Sequence, residues 1–158
     1  MFATIGLVTA AVLLAGAATA DPPPPHALIE SVRAQLFYEL SGTLSGNIAS
    51  PPSRFSGWNT VIGEGEAKEA AQDLLVTVRV KGNGADGFLT ETPLVITARN
   101  SAGKLLGSRS VTGILVPYEG SVATALWINN ATCAGKLTIE AKLGKQVKTA
   151  TVALDCGE

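Results

Sequence analysis

Cys133-AGKLTIEAKLGKQVKTATVALD-Cys156 holds every cysteine of the 158-residue chain, one at each end of a 24-residue stretch. Gly144-Lys145 in its middle is a Gly-X pair suited to a two-residue type II′ turn. Folding about that pair sets Leu143 opposite Gln146. Counting outward residue by residue then brings Cys133 opposite Cys156. Leu137, Ile139, Ala141 and Leu143 would share one face with Ala150, Val152 and Leu154. Lys136, Thr138, Glu140 and Lys142 would share the other with Val147, Thr149 and Thr151. Both cysteines fall on the apolar side by parity. Opposed residues have Cα atoms about 4.5 to 5.5 Å apart, within reach of a disulfide. The stretch therefore predicts a C-terminal hairpin closed by a Cys133–Cys156 disulfide. A redox pair would need CxxC spacing and local basic activation, and neither is present.

A disulfide needs an oxidising compartment. The first 20 residues supply a route: MFATIGLVTAAVLLAGAATA is uncharged and apolar, and ends Ala18-Thr19-Ala20, an A-x-A-type cleavage site. Its one departure from a signal peptide is the n-region, which has no Lys or Arg. Residues 1–20 are expected to be removed on export to a periplasm or to the outside. Residues 21–27, opening with Asp21 and four prolines, read as a flexible polyproline spacer. Residues 28–158 are expected to form one domain. No later segment approaches the roughly 20 apolar residues needed to span a bilayer.

Outward from the hairpin, period-2 alternation recurs. LLVTVRVK turns Leu74, Val76, Val78 and Val80 inward, and PLVITAR does the same with Leu94, Ile96 and Ala98. KLLGSRSV and SVATALWI follow, separated by Asn, Gly and Pro turns. VRAQLFYEL can be read two ways. Val32, Ala34, Leu36, Tyr38 and Leu40 make a strand face, whereas Ile29, Val32, Leu36 and Leu40 make a helical stripe. The β company downstream favours the strand. Thr43 to Ile48 is expected to return as a strand, and Ala49 to Asp73 to be irregular, with one helical turn at Glu66 to Ala71. Six or seven short strands between turn signals predict an all-β, antiparallel β-sandwich. In size and architecture it resembles an immunoglobulin-like domain. A disulfide within one hairpin departs from the inter-sheet pattern of antibody domains.

Chemistry finds little material. The single histidine, His26, falls in the spacer, where no scaffold is expected to hold it. There is no GxSxG elbow, and one histidine cannot build a histidine-rich metal site. Gly82-Asn83-Gly84-Ala85-Asp86-Gly87 matches GxGxxG but leads toward another strand, without the helix a dinucleotide site requires. A calcium-binding GGxGxD reading has one degenerate copy and no tandem repeat. Asn130-Ala131-Thr132 is a glycosylation sequon, meaningful only in a host that glycosylates. Glu64, Glu66, Glu69 and Asp73 are clustered enough to suggest a cation loop, with solvated carboxylates the simpler expectation. Neither a catalytic nor a metal or cofactor site is predicted. A net charge of −1 without a basic run argues against nucleic acid.

The expected role is an exported, non-enzymatic binding or accessory module whose partner is another exported protein. The alternative is a structural subunit of a surface assembly. The contact surface is expected in RFSGWNTVIGEGE, Arg54 to Glu66. That segment is long for a connection and places Phe55 and Trp58 beside Arg54, residue types enriched at binding hot spots. The competing expectation is that Phe55 and Trp58 plug one end of the sandwich.

Overall fold

The computed structural model describes residues 26–84 and 86–157. The signal-peptide and proline-spacer expectations up to residue 25 lie outside them. The strands are β1 (Ala27–Tyr38), β2 (Thr43–Leu44), β3 (Gly57–Trp58), β4 (Leu74–Gly82), β5 (Phe88–Leu89), β6 (Leu94–Arg99), β7 (Leu105–Val111), β8 (Leu115–Val116), β9 (Ser121–Ile128), β10 (Gly135–Leu143) and β11 (Gln146–Asp155). One sheet runs β2-β1-β4-β9 and the other β3-β11-β10-β6-β7, with β5-β8 as a separate ribbon. Their inward side chains, among them Leu36, Leu74, Val76, Val78, Ile96, Leu137, Ile139 and Leu154, form one apolar core. The fold is an antiparallel β-sandwich, with one exception in the parallel pairing of β3 with β11.

Taken in chain order, the seven strands of six or more residues divide into 1-2-5 and 7-6-3-4. The immunoglobulin constant arrangement keeps its fourth strand with the first, second and fifth. Here β7, the fourth, lies beside β6 on the other sheet. The likeness is thus one of architecture with a switched strand.

The terminal hairpin has the expected register, Leu143 with Gln146 through to Gly135 with Leu154. Gly144 has φ +59° and Lys145 keeps an ordinary φ, the sign pattern of a type II′ turn. The disulfide is formed, with Cα atoms 4.9 Å apart. It sits beyond the last ladder pair, where Cys133 has turned to φ 58° and is exposed. Parity alone had put both cysteines on the apolar side. The chain leaves the ladder before reaching Cys133, so the bond staples the hairpin's open end outside the core.

The contested segment is a strand. Val32, Ala34, Leu36 and Tyr38 are buried in alternation, but Leu40 is 84 % exposed in the turn after β1 and leaves the expected face. A bulge between Ile29 and Ser31 inserts Glu30, which is why Ile29 and Val32 could mimic helical spacing while both meet the core. The expected return strand shortens to Thr43–Leu44. Side chains finish the pairing instead: Ser45 Oγ accepts from Leu36 N–H at 2.9 Å and Asn47 Oδ1 from Ala34 N–H at 3.0 Å. The helical turn expected at Glu66 to Ala71 is absent. A 3₁₀ turn forms at Thr60–Ile62, and Ala67 and Ala71 are buried directly against the core.

One side of the sandwich is closed by the chain that follows β2. Ile48 still bonds to Ala34 of the first sheet, while Ser50 exchanges both backbone hydrogen bonds with Thr151 of the second. From there the chain arches over the β11 edge and lands on it as β3. This crossing positions the candidate contact segment.

Candidate functional site

Gly57 lets β3 settle on β11. A methyl group there would lie 2.5 Å from the Ala153 carbonyl oxygen and 2.7 Å from a Leu154 methyl, so no larger residue fits. Asn59 follows in a left-handed conformation, φ 45°. It ties the segment down on several sides. Its N–H donates to Asp155 O at 2.9 Å, its carbonyl accepts from Ile62 and Glu64 N–H, and its side chain reaches Glu64 Oε2 at 2.8 Å. The same side chain accepts from Gly157 N–H at 2.6 Å. Sequence reasoning passed over Asn59; an asparagine directly after an apolar pair is a turn signal, because asparagine tolerates the left-handed region. Through Asp155 the segment is also fastened beside Cys156, so the disulfide braces the strand end on which Trp58 lies.

Of the three expected contact residues, Arg54 is exposed, Phe55 is half-buried against the core and Trp58 is 48 % exposed. Trp58 is therefore not an enclosed plug, while Phe55 does cover core. A concavity of about 400 Å³ lies on one side of Arg54 and Phe55, lined also by Tyr38, Asn47, Glu66 and Lys68. A second, of about 330 Å³, lies on the other, lined also by Ser50, Lys136, Thr151 and Val152. Ile48, Ser53, Arg54 and Phe55 belong to both. Tyr38, Lys68 and Lys136 could not be assigned to this site from sequence, since three separate segments deliver them.

The acidic quartet does not converge. Glu64 bonds Asn59, Glu66 Oε2 accepts from Ser56 N–H at 2.9 Å and Glu69 Oε2 accepts from Ser41 N–H at 3.0 Å. Asp73 accepts from Asn130 N–H and Trp127 Nε1–H, each at 2.9 Å. Glu64 and Glu66 brace their own loop, whereas Glu69 and Asp73 reach separate segments at Ser41 and at Trp127 and Asn130. Among the described residues no group of three or more His, Cys, Asp or Glu is placed to hold a metal ion. Trp127, on the outer face of β9, packs edge-on against Phe37 with ring centroids 5.3 Å apart. Alternation in SVATALWI already sends Ser121, Ala123, Ala125 and Trp127 outward, so this exposed indole was available to sequence reasoning.

At the Gly144 end of the sandwich, away from the disulfide, a third concavity of about 610 Å³ is lined by His26, Phe88, Thr90, Glu91, Lys145 and Gln146 among others. His26 is held after all. Its N–H donates to Asn83 Oδ1 at 2.7 Å, and Asn83 Nδ2 lies 2.6 Å from its Nδ1. Sheet pairing begins at Ala27, one residue before the expected domain boundary. The GxGxxG segment leads from β4 to β5, with no helix among its described residues.

Fold and geometry together define a disulfide-stapled all-β sandwich domain carrying a clamped surface loop. No helix among the described residues is long and apolar enough to cross a membrane. No family model matches the chain, and no curated protein matches it in sequence. Among solved structures it is similar to the C-terminal domain of wzt, at TM-score 0.43 and 11% identity over 87% of this chain and 80% of that one. A β-glucuronidase from glycoside hydrolase family 2 aligns at TM-score 0.36 and 14% identity, over 52% of this chain and 10% of its own. A β-glucosidase, EmGH1, from Erythrobacter marinus aligns at TM-score 0.37 and 15% identity, over 52% of this chain and 13% of its own. The chain thus spans a small fraction of either glycosidase. Similarity this low carries no activity across, and the sandwich assignment rests on strand pairing.

Proposed function

We propose that this protein is an exported, non-enzymatic binding module that engages another exported protein through the Arg54–Trp58 loop. The observation that carries the proposal is a half-exposed tryptophan close in sequence to an exposed arginine on a loop whose backbone is clamped. Loops held rigid on a sandwich lose little entropy on binding, and Trp and Arg are the residue types that dominate interface energies. The disulfide supports export, since such bonds persist in oxidising compartments. A structural subunit could join its assembly by lending its N-terminal segment to a neighbour as an added strand. From Ala27 onward that segment is spent on β4 of its own sheet, which leaves the alternative without a supporting observation there.

The test is affinity capture from the exported fraction of the source cells, with bound proteins identified by mass spectrometry. One partner retained by the native protein, and lost with Trp58→Ala and Arg54→Ala variants that remain folded, is the expected result. A partner retained equally by both variants would move the interface elsewhere. Turnover in hydrolase or oxidoreductase screens, abolished by changing Glu64, Glu66 or Glu69, would overturn the non-enzymatic role.

A further inference from the structure

We infer that the two concavities flanking Arg54 form one groove for an anionic ligand, an extended segment of the partner protein bearing aspartate or glutamate side chains. The inference rests on the partner-binding role proposed above and adds the chemistry of what is bound. Arg54 stands between the concavities, with Lys68 in one and Lys136 in the other. The sole ion pair among the described residues is Arg79 with Glu30, so none of these three cations is neutralised by a carboxylate contact. The one acid in the groove, Glu66, already gives an oxygen to the Ser56 N–H.

The neutral groups lean the same way. Asn47 Oδ1 accepts from the Ala34 and Ala49 N–H groups, and its amide N–H₂ has no acceptor among the described residues. Tyr38 is only 5 % exposed, and its hydroxyl accepts from Lys68 N–H at 3.3 Å. The hydroxyl proton has no acceptor among the described residues and remains to be given. Ser50 and Thr151 add hydroxyls in the second concavity. Guanidinium, two ammonium groups, an amide and a phenol, set against the one carboxylate of Glu66, make a surface rich in donors and net positive. Such a surface complements carboxylates, and guanidinium does so bidentately.

Between the cations the walls are Ile48, Phe55 and Val152. They give a peptide apolar contact between its charges. A saccharide would gain most by stacking on an open ring face, and the Phe55 ring is half-covered by its packing on the core. Charge complementarity and these walls favour an acidic peptide segment.

The test uses the signal-less full chain with fluorescein-labelled octaglutamate, octaglutamine and octalysine peptides, read by fluorescence anisotropy, and polygalacturonate as a competing polyanion. Octaglutamate is expected to bind and the other two peptides not to. Arg54→Ala should weaken binding about tenfold or more, as loss of a charge-assisted contact does. Arg54→Lys should recover part of it, and 0.5 M sodium chloride should weaken binding through screening. Arg54 is exposed and makes no hydrogen bond among the described residues, so a melting temperature equal to that of the native protein checks that the variants are folded. Equal binding of octaglutamine, or octaglutamate binding unchanged in Arg54→Ala, overturns the inference. So does polygalacturonate binding without octaglutamate binding, which would assign the groove to a saccharide. If octaglutamate fails while capture of a partner still depends on Trp58, the anionic groove falls and the binding module stands. Arg54-dependent octaglutamate binding with no partner captured at this loop supports the groove and counts against the module.

Discussion

Replacing Gly57 with alanine asks whether close backbone approach holds the contact loop in place. The new methyl would lie 2.5 Å from the Ala153 carbonyl oxygen, 2.7 Å from a Leu154 methyl and 3.2 Å from the Phe55 ring. Ala153 is fixed by its pairing with Lys136, so its carbonyl cannot swing aside. Leu154 is fully buried and has no room to retreat. The remaining response is for β3 to lift from β11, breaking the Gly57–Leu154 and Trp58–Asp155 pairing and the Asn59-to-Asp155 hydrogen bond. Overpacking costs about 1–3 kcal/mol and a lost hydrogen bond about 1 kcal/mol, so Gly57→Ala should lose about 2–4 kcal/mol. Gly46 is the control, because a methyl there meets nothing within 4 Å. Gly46→Ala should stay within about 0.5 kcal/mol of the native protein. Urea unfolding followed by tryptophan fluorescence measures both, and hydrogen exchange at the Asn59 amide reports the loop locally. Equal stability of the two variants, with the Asn59 amide still protected in Gly57→Ala, would refute the reasoning.

The unreduced protein should show the mass of a disulfide and a peptide linking Cys133 to Cys156. Changing both cysteines to serine should cost about 3 kcal/mol in urea unfolding, since the bond closes a loop across a sequence separation of 23. Trp58→Ala should cost on the order of 2 kcal/mol, because the ring is 48 % exposed and only its covered part contributes. A loss above about 4 kcal/mol, the scale of a core aromatic truncation, would make Trp58 a plug after all. Asp73→Ala removes the acceptor for Trp127 Nε1 and for the Asn130 N–H; it should cost about 1–2 kcal/mol and change the indole emission, and an unchanged spectrum would count against that bond.

The hairpin was legible because every decision in it is local. A Gly-X turn sets the register, period-2 alternation sets the faces, and the register brings the strand ends together at Gly135 and Leu154, just short of Cys133 and Cys156. The same alternation placed Leu74, Val76, Val78 and Val80, and Leu94, Ile96 and Ala98, in the core, all fully buried. Where locality failed, a specific long-range contact had intervened. The Glu30 bulge disguised the strand phase at Ile29, and Leu40 left its face because the chain turns before reaching it. His26 is ordered by Asn83, 57 residues away, which the neighbouring prolines gave no reason to expect. The helical turn expected at Glu66 to Ala71 gave way because the backbone there is taken by distant partners, Ala71 N–H donating to Thr60 O and Ala70 O accepting from Glu39 N–H.

The candidate site divides along the same line. Arg54, Phe55 and Trp58 could be named from composition and loop length, which are properties of contiguous residues. Asn59 as the clamp, and Tyr38, Lys68 and Lys136 as partners of Arg54 in one groove, became visible only once β1, the long connection and β10 lay side by side. The four loop carboxylates looked like a cation site because they are near in sequence, and each is spent on its own hydrogen-bond partner, from Asn59 and Ser56 nearby to Ser41 and Trp127 far along the chain. By itself the sequence determined the sheet faces, the terminal register and the disulfide, because alternation, turn chemistry and strand geometry act over a few residues. Which charges share a surface and which carboxylates part company was decided by the tertiary structure, because electrostatic neighbours are set by distance in space.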